Sequence, residues 1–238
     1  MQIIILAAGK GTRMNSLLPK VMHQVFGKPM IEHVINNSKK VTDDLVLVYS
    51  DHLEPYLDDI GVDCKLVKQD QQRGTAHAVQ VAKDLFGSEE IAVIYGDNPL
   101  ISGDIIKELF SYLRKSNSAV VTLAFDYDKP NQYGRIITDA EGNFEKIIED
   151  KFATKEEKEI TLCNSGVMVF AAGILPKYID YCVHDSAILE KESYLTDIIE
   201  VCKKFGERVS YYKANDYRSV IGINTLEELE SVNDSINI

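Results

Sequence analysis

The sequence predicts a Rossmann-like α/β fold, with a mostly parallel sheet, helices on both faces and a smaller antiparallel insertion over the site. Three observations carry this expectation. Short apolar runs alternate with helical stretches through the first half of the chain, a glycine-rich loop follows the first run, and the pattern changes after residue 126. Alternating strands and helices imply parallel strands joined by crossover helices that cover both faces. Ligands of such sheets bind beyond the carboxyl ends of the strands.

Taken in order, the first run is 2–7, built on Ile3-Ile4-Ile5-Leu6, apolar residues that suit a strand buried on both faces. Further strands are expected at 45–49, 63–67, 91–95 and 119–125, separated by helices near 29–38, 53–60, 75–86 and 103–116. The segments 134–138, 144–149 and 161–171 read as the antiparallel insertion, a lid over the site. Helices follow near 173–182 and 194–205, the second stopped by Gly206 in the position where a left-handed residue ends a helix. A strand at 208–213 leads to a last helix opened by Thr225 and Glu228 as a capping box. No repeat, low-complexity tract or linker interrupts this order, so residues 1–238 are expected to form one domain.

Bulk composition narrows the function classes. Hydrophobic residues make up 45% of the chain and charged residues 26%, ordinary values for a globular protein. At 238 residues the chain can bury a core that needs no covalent staple. A net charge of −11 argues against a general nucleic-acid or anionic-membrane surface. No leader of signal-peptide type and no membrane-length apolar run is seen. Cys64, Cys163, Cys182 and Cys202 are far apart, with no C-x-x-C pair, which fits reduced thiols in the cytoplasm and speaks against a zinc site.

The first strand runs into Ala7-Ala8-Gly9-Lys10-Gly11-Thr12-Arg13-Met14, with Pro19-Lys20 close behind. Small residues let a ligand approach the main chain, and freed backbone N–H groups can form an anion-binding nest. Lys10, Arg13 and Lys20 gather beside it in an otherwise acidic chain, which points to a phosphate pocket. The spacing fits neither a P-loop, since no Gly-Lys-Ser/Thr follows at the required distance, nor a dinucleotide fingerprint, whose third glycine is replaced by Met14.

Other constellations complete a candidate site. Tyr95-Gly96-Asp97 follows a buried run, and Asp97 is a candidate ligand for Mg²⁺, which is held by one or two protein oxygens together with phosphates and water. Asn224 ends another apolar run and offers a second, neutral oxygen. Read without partners, both are equally ordinary turn residues. Gln69, with Gly74 and the helix opened by Thr75, could pair with uracil, because an amide presents a donor and an acceptor side by side. The start of that helix is expected to favour phosphate or sugar oxygens. His77 lies inside the helix and reads as a packed or hydrogen-bonded side chain. Tyr133-Gly134-Arg135, Glu149 with Lys151, and Asn164-Ser165-Gly166 are individually unremarkable, and Glu149 with Asn164 would suit sugar hydroxyls.

In combination these segments resemble the bacterial N-acetylglucosamine-1-phosphate uridylyltransferases, within the sugar-phosphate nucleotidyltransferases. The motifs are LAAGKGTRM with PK, GKPMIEHVI, Q-x-x-Q-x-GTAHA, YGD-x-P, YGRI, E-x-K, N-S-G, YLTD and GIN, and they span nearly the whole chain in the family's order. The resemblance implies that Leu6, Ala7, Ala8 and Gly9 line the nucleotide and that Lys20 meets its phosphates. By the same resemblance Gln69 and Gly74 read uracil with Thr75 nearby, and Tyr95, Gly96 and Asp97 contact the nucleotide sugar. Asp97 and Asn224 would hold Mg²⁺, Gly134, Glu149, Asn164 and Asn224 would bind the sugar side, and Arg13 would stand beside the departing pyrophosphate.

The implied reaction joins UTP to N-acetylglucosamine 1-phosphate, giving UDP-N-acetylglucosamine, a cell-wall precursor, and pyrophosphate. Arg13, Lys20 and Asp97 are the expected catalytic residues, acting through positioning and charge. Family members commonly continue into a left-handed β-helix that acetylates glucosamine 1-phosphate. No hexapeptide repeats occur here, so neither acetyl transfer nor that domain's trimer is expected. Arg73 stands where many members carry an apolar residue, and 188–193 lacks the pattern common near the sugar. Two other readings are a nucleotidyltransferase for another sugar phosphate or nucleotide, and a non-catalytic nucleotide-sugar-binding regulator.

Overall fold

An unbroken apolar run can be buried only if both faces are covered, and β1 (Gln2–Leu6) is buried along its entire length. The structure, a computed structural model, describes residues 1–61, 63–188 and 192–234. Its remaining strands are β2 (Gln24–Val25), β3 (Lys28–Pro29), β4 (Leu45–Tyr49), β5 (Lys65–Lys68), β6 (Ile91–Tyr95), β7 (Val120–Asp126), β8 (Gly134–Thr138), β9 (Phe144–Ile148), β10 (Leu162–Phe170) and β11 (Val209–Lys213). The helices are α1 (Met30–Lys39), α2 (Thr75–Gln80), α3 (Gly103–Ser116), α4 (Lys155–Lys158), α5 (Ile174–Ile188), α6 (Ile198–Lys204) and α7 (Leu226–Asp234).

The main sheet runs β11-β7-β10-β6-β1-β4-β5. β1 pairs in parallel with β4 and β6, β4 with β5, and β7 with β11. Side chains alternate across it with the period of two that a strand imposes. Ile4, Leu6 and Ala8 join a core with α2, α5 and α6, while Ile3, Ile5 and Ala7 join one with α1 and α3. A third cluster packs α7 on the β2–β3 hairpin through Met14, Val25, Met30, Ile223, Leu229 and Val232. That contact brings the segment before α7 back to the first strand's loop.

Three expectations need correction. Residues 53–60 form turns and a short 3-10 helix at Glu54–Tyr56, because Pro55 lacks an N–H and Gly61, at φ 58°, ends the segment before a helix can propagate. The helix at 75–86 closes at Gln80 and tightens to 3-10 geometry at Lys83–Leu85. Gln2 takes the place of a helical continuation there, donating to the Leu85 carbonyl at 2.9 Å and accepting from the Gly87 N–H at 3.0 Å.

The third correction concerns 161–171, which belongs largely to the central sheet. The end of β10, Met168–Phe170, runs antiparallel between β6 and β7, and its start pairs with β8 of the insertion. A register shift between Asn164 and Met168 makes both pairings possible, and Gly166 at φ 88° lies within it. An ideal Cβ at Gly166 would stand 2.8 Å from the Tyr95 ring. Such bulges bend a strand and re-aim its side chains, here Asn164 and Ser165. Of the unusual 188–193 stretch, residues 189–191 lie outside the described residues. The capping box of the last helix is present, with the Thr225 N–H and the Glu228 N–H each bonding the other's side chain at 3.2 Å.

Candidate functional site

The chain leaves β1 in two sheet bonds, from the Ala7 N–H to the Val48 carbonyl and from the Gly96 N–H to the Leu6 carbonyl. The Ala8 carbonyl accepts from the Gln72 amide at 2.7 Å, and Gly9 is open, with nothing near an added Cβ. Gly11 has φ 60°, a left-handed conformation that favours glycine. An ideal Cβ there would stand 2.6 Å from the Lys20 Cβ, so the bare glycine seats Lys20 directly beneath the loop. A cavity of about 690 Å³ opens here, lined by Lys10, Thr12, Ser50, Gln69 and Gln72 among others, within the size range of small-ligand sites.

At the carboxyl ends of β1 and β6 four of the expected residues meet. The Lys20 ammonium pairs with the Asp97 carboxylate and donates to the Asn224 Oδ1 at 2.8 Å. Arg13 donates to the same Asn224 oxygen and to the Gln132 Oε1, each at 2.8 Å. Asn224 is aimed from behind: its backbone N–H donates to Glu228 at 2.5 Å and its Nδ2 to the Gly222 carbonyl at 3.2 Å. The Asp97 carbonyl accepts from the Ile223 N–H at 2.9 Å, locking the two turns together. Among the described residues no group of three His, Cys, Asp or Glu side chains forms a metal cage. One carboxylate and one amide oxygen converge instead on a cation, the Lys20 ammonium, a donor set of the type Mg²⁺ takes when phosphates supply the rest.

Gln69 leaves β5 buried, held by its N–H on the Tyr49 carbonyl at 2.7 Å, and lines the cavity. Gly74 follows at φ 108°, and an ideal Cβ would stand 2.2 Å from the Ser193 carbonyl oxygen. Ser193 takes up the donors at the start of α2, accepting from the Ala76 N–H at 3.0 Å with its carbonyl and from the His77 N–H at 3.2 Å with its hydroxyl. The helix start is thus committed to protein partners, which corrects the expectation that it favours ligand oxygens. Thr75 is likewise engaged: its hydroxyl accepts from the Leu195 N–H at 2.9 Å and bonds the Tyr95 phenol, whose pKa burial raises. Gly96 turns toward the core, where an added Cβ would meet Val21, Ile31 and Ala7. Replacing Gly74 with alanine is expected to destabilise the fold by about 1–3 kcal/mol from the backbone conformation alone. A lowered urea midpoint checks this, and an unchanged midpoint would contradict the packing described.

The insertion carries the remaining group. Gly134 pairs with Asn164 across β8 and β10, and an ideal Cβ on Gly134 would lie 3.6 Å from the Glu149 Oε2. Glu149 accepts from the Thr196 hydroxyl at 2.7 Å. Burial raises its pKa, opposed by the Thr196 hydrogen bond and by nearby Lys151. Asn164 accepts from the Thr122 hydroxyl at 2.7 Å and the Gly166 N–H at 3.0 Å. Tyr95 lies against Gly166 and is bonded to Thr75, linking this group to the start of α2.

The MobA-like NTP transferase domain matches residues 3–159, more than half of the chain. The chain belongs to that family. It is 38% identical over 233 residues to the bifunctional protein GlmU of Alkaliphilus oremlandii, covering 98% of this chain and 51% of the relative. It is 35% identical over 240 residues to the bifunctional protein GlmU of Desulfotalea psychrophila, covering 99% and 70%. The chain therefore spans about half the length of the first of these relatives. A crystal structure of a Bacillus anthracis protein assigned as a glucose-1-phosphate thymidylyltransferase superposes with a TM-score of 0.77 at 23% identity, covering 99% and 94%, and shows the same fold. No helix among the described residues is long and apolar enough to cross a membrane.

For this nucleotidyltransferase family member the sequence reading overlooked several side chains that shape the site. Gln72 stood in the Q-x-x-Q motif, and Thr196 in YLTD, so a motif signal existed for both. Gln132 had none, since its role depends on contact with Arg13, 119 residues away.

Proposed function

We propose that the protein transfers the uridylyl group of UTP to N-acetylglucosamine 1-phosphate, releasing pyrophosphate. The observation that carries this is the convergence of Arg13, Lys20, Asp97 and Asn224 beside the cavity lined by Gln69. Gly134, paired with Asn164 and close to Glu149, brings these residues within reach of one ligand, where they would bind the sugar, and the resemblance of the motifs to N-acetylglucosamine-1-phosphate uridylyltransferases supports the choice of sugar. The acceptor phosphate is already an anionic nucleophile, so no side chain need be activated. Its oxygen forms a bond to the α-phosphorus of UTP while the bond to the β-phosphate bridge breaks and pyrophosphate leaves. Lys20 and Arg13 stabilise the charge gathered at the α-phosphoryl and the leaving group. Asp97 and Asn224 would hold Mg²⁺, which would supply positive charge against the phosphates. The reaction needs neither nucleic acid nor membrane, and a cytoplasmic setting fits cysteines that lie far apart with no C-x-x-C pair.

Incubation with UTP, Mg²⁺ and a panel of sugar 1-phosphates, following pyrophosphate, tests the reading. N-acetylglucosamine 1-phosphate should give the highest kcat/KM, and acetyl-CoA should have no effect. Faster turnover of glucose 1-phosphate would overturn the sugar assignment. Faster turnover with dTTP or GTP would overturn the assigned nucleotide.

Glu149 adds a pH signature. Its carboxylate must be ionised to accept sugar hydroxyls in full, and burial shifts its protonation above the ordinary carboxylate range. KM for the sugar phosphate should therefore rise as pH falls, beginning at a higher pH than for a free carboxylate. Glu149→Gln should raise KM at neutral pH and flatten this dependence; an unaltered profile would remove Glu149 from sugar binding.

A further inference from the structure

His77 is buried inside α2, outside the charged cluster, and the transfer reaction gives it no task. Its surroundings define one. The Gln69 Nε2 lies 2.9 Å from the His77 Nδ1 and 3.3 Å from the Gly74 carbonyl oxygen. A carbonyl can only accept, so the amide nitrogen, not its oxygen, must face this side. Both amide hydrogens are then engaged, one by Gly74 and one by Nδ1. With Nδ1 accepting, the neutral ring carries its proton on Nε2. Burial, reinforced by nearby Arg73, lowers the His77 pKa and keeps the ring neutral.

The consequence falls on Gln69. A free glutamine amide can rotate by half a turn and offer either a donor or an acceptor to a base. This one has its donors fixed inward, and among the described residues its Oε1 has no hydrogen bond and is the group left to the cavity. Such an oxygen accepts from the N3–H of uracil but opposes the N3 lone pair of cytosine. We propose that His77 is a positioning residue that locks the Gln69 amide in its accepting orientation and thereby makes the site discriminate UTP from CTP. The inference rests on the uridylyl reading above and deepens it. Thymine presents the same N3–H and is not discriminated by this device.

Two variants separate the lock from simple packing. His77→Phe keeps a ring in the core without the Nδ1 acceptor, and His77→Asn restores a carbonyl oxygen near the Nδ1 position. The ratio of kcat/KM for UTP over CTP should fall about tenfold or more in His77→Phe. The change should lie mainly in KM, with kcat at saturating UTP little altered, and His77→Asn should recover most of the ratio. An unchanged ratio in folded His77→Phe overturns the proposal, as does a wild-type enzyme that uses UTP and CTP equally. If His77→Phe does not fold, the ratio in His77→Asn and the ring's ¹⁵N spectrum decide. An unprotonated Nδ1 at neutral pH, gaining a proton or losing its hydrogen bond in Gln69→Leu, supports the lock whichever nucleotide the enzyme takes. A protonated Nδ1 in the wild type overturns it, while failure of UTP as substrate with Nδ1 unprotonated overturns only the uridylyl reading.

Discussion

Replacing Asp97 with asparagine should lower kcat about a thousandfold while the chain remains folded. Among the described residues the carboxylate is the one acidic group in direct contact with Lys20, and it shares that cation with Asn224. The substitution preserves size and leaves the Asp97 backbone carbonyl on the Ile223 N–H, so the turn after β6 should keep its shape. What disappears is negative charge where Mg²⁺ would be held, and with it the alignment of phosphate oxygens. Removing a single preorganised electrostatic contact commonly reduces kcat about a hundred- to a thousandfold, and Asp97 serves two such contacts. Steady-state kinetics beside a thermal melt checks the prediction. Activity within tenfold of wild type, in a protein of normal stability, would exclude Asp97 from the chemistry.

Lys20→Ala should lower kcat about a hundred- to a thousandfold, and Arg13→Ala should act in the same direction. Both cations reach the same Asn224 oxygen, but their settings differ: Lys20 is half-sheltered beneath Gly11, whereas Arg13 is exposed and tied to Gln132 of the insertion. Lys20→Met separates charge from packing, since it keeps the stem that lies against Gly11. Equal losses in Lys20→Ala and Lys20→Met would show that charge is what matters. A Lys20→Ala enzyme with unchanged kcat would contradict the role assigned to it. If loss of Arg13 also frees the insertion from the loop, KM for the sugar phosphate should rise with it.

Much of this arrangement could be read from local pattern. The glycine loop after β1 and Asp97 after β6 became neighbours through a rule of parallel sheets, that adjacent strands bring their carboxyl ends to one edge. Asn224 was legible as the polar end of an apolar run, though its contact with Lys20 spans 204 residues and no spacing encodes it. The position of β10 was not legible. Its nine residues look like any apolar strand, and only pairing with β6 and β7 puts it in the central sheet. The same holds at Ser193, whose hydroxyl and carbonyl occupy the start of α2 from a segment more than a hundred residues later. Donors freed by a helix start were visible in the sequence; what consumes them depends on tertiary contact.

In the proposed reaction the sugar phosphate attacks UTP directly, held by charge and position, with no covalent enzyme intermediate. The stereochemical course at the α-phosphorus tests it most directly, using UTP made chiral there with sulfur in place of one oxygen. A single in-line displacement predicts a UDP-sugar product with inverted configuration. Retention, the mark of two successive displacements through an enzyme-bound nucleotidyl group, would exclude direct attack.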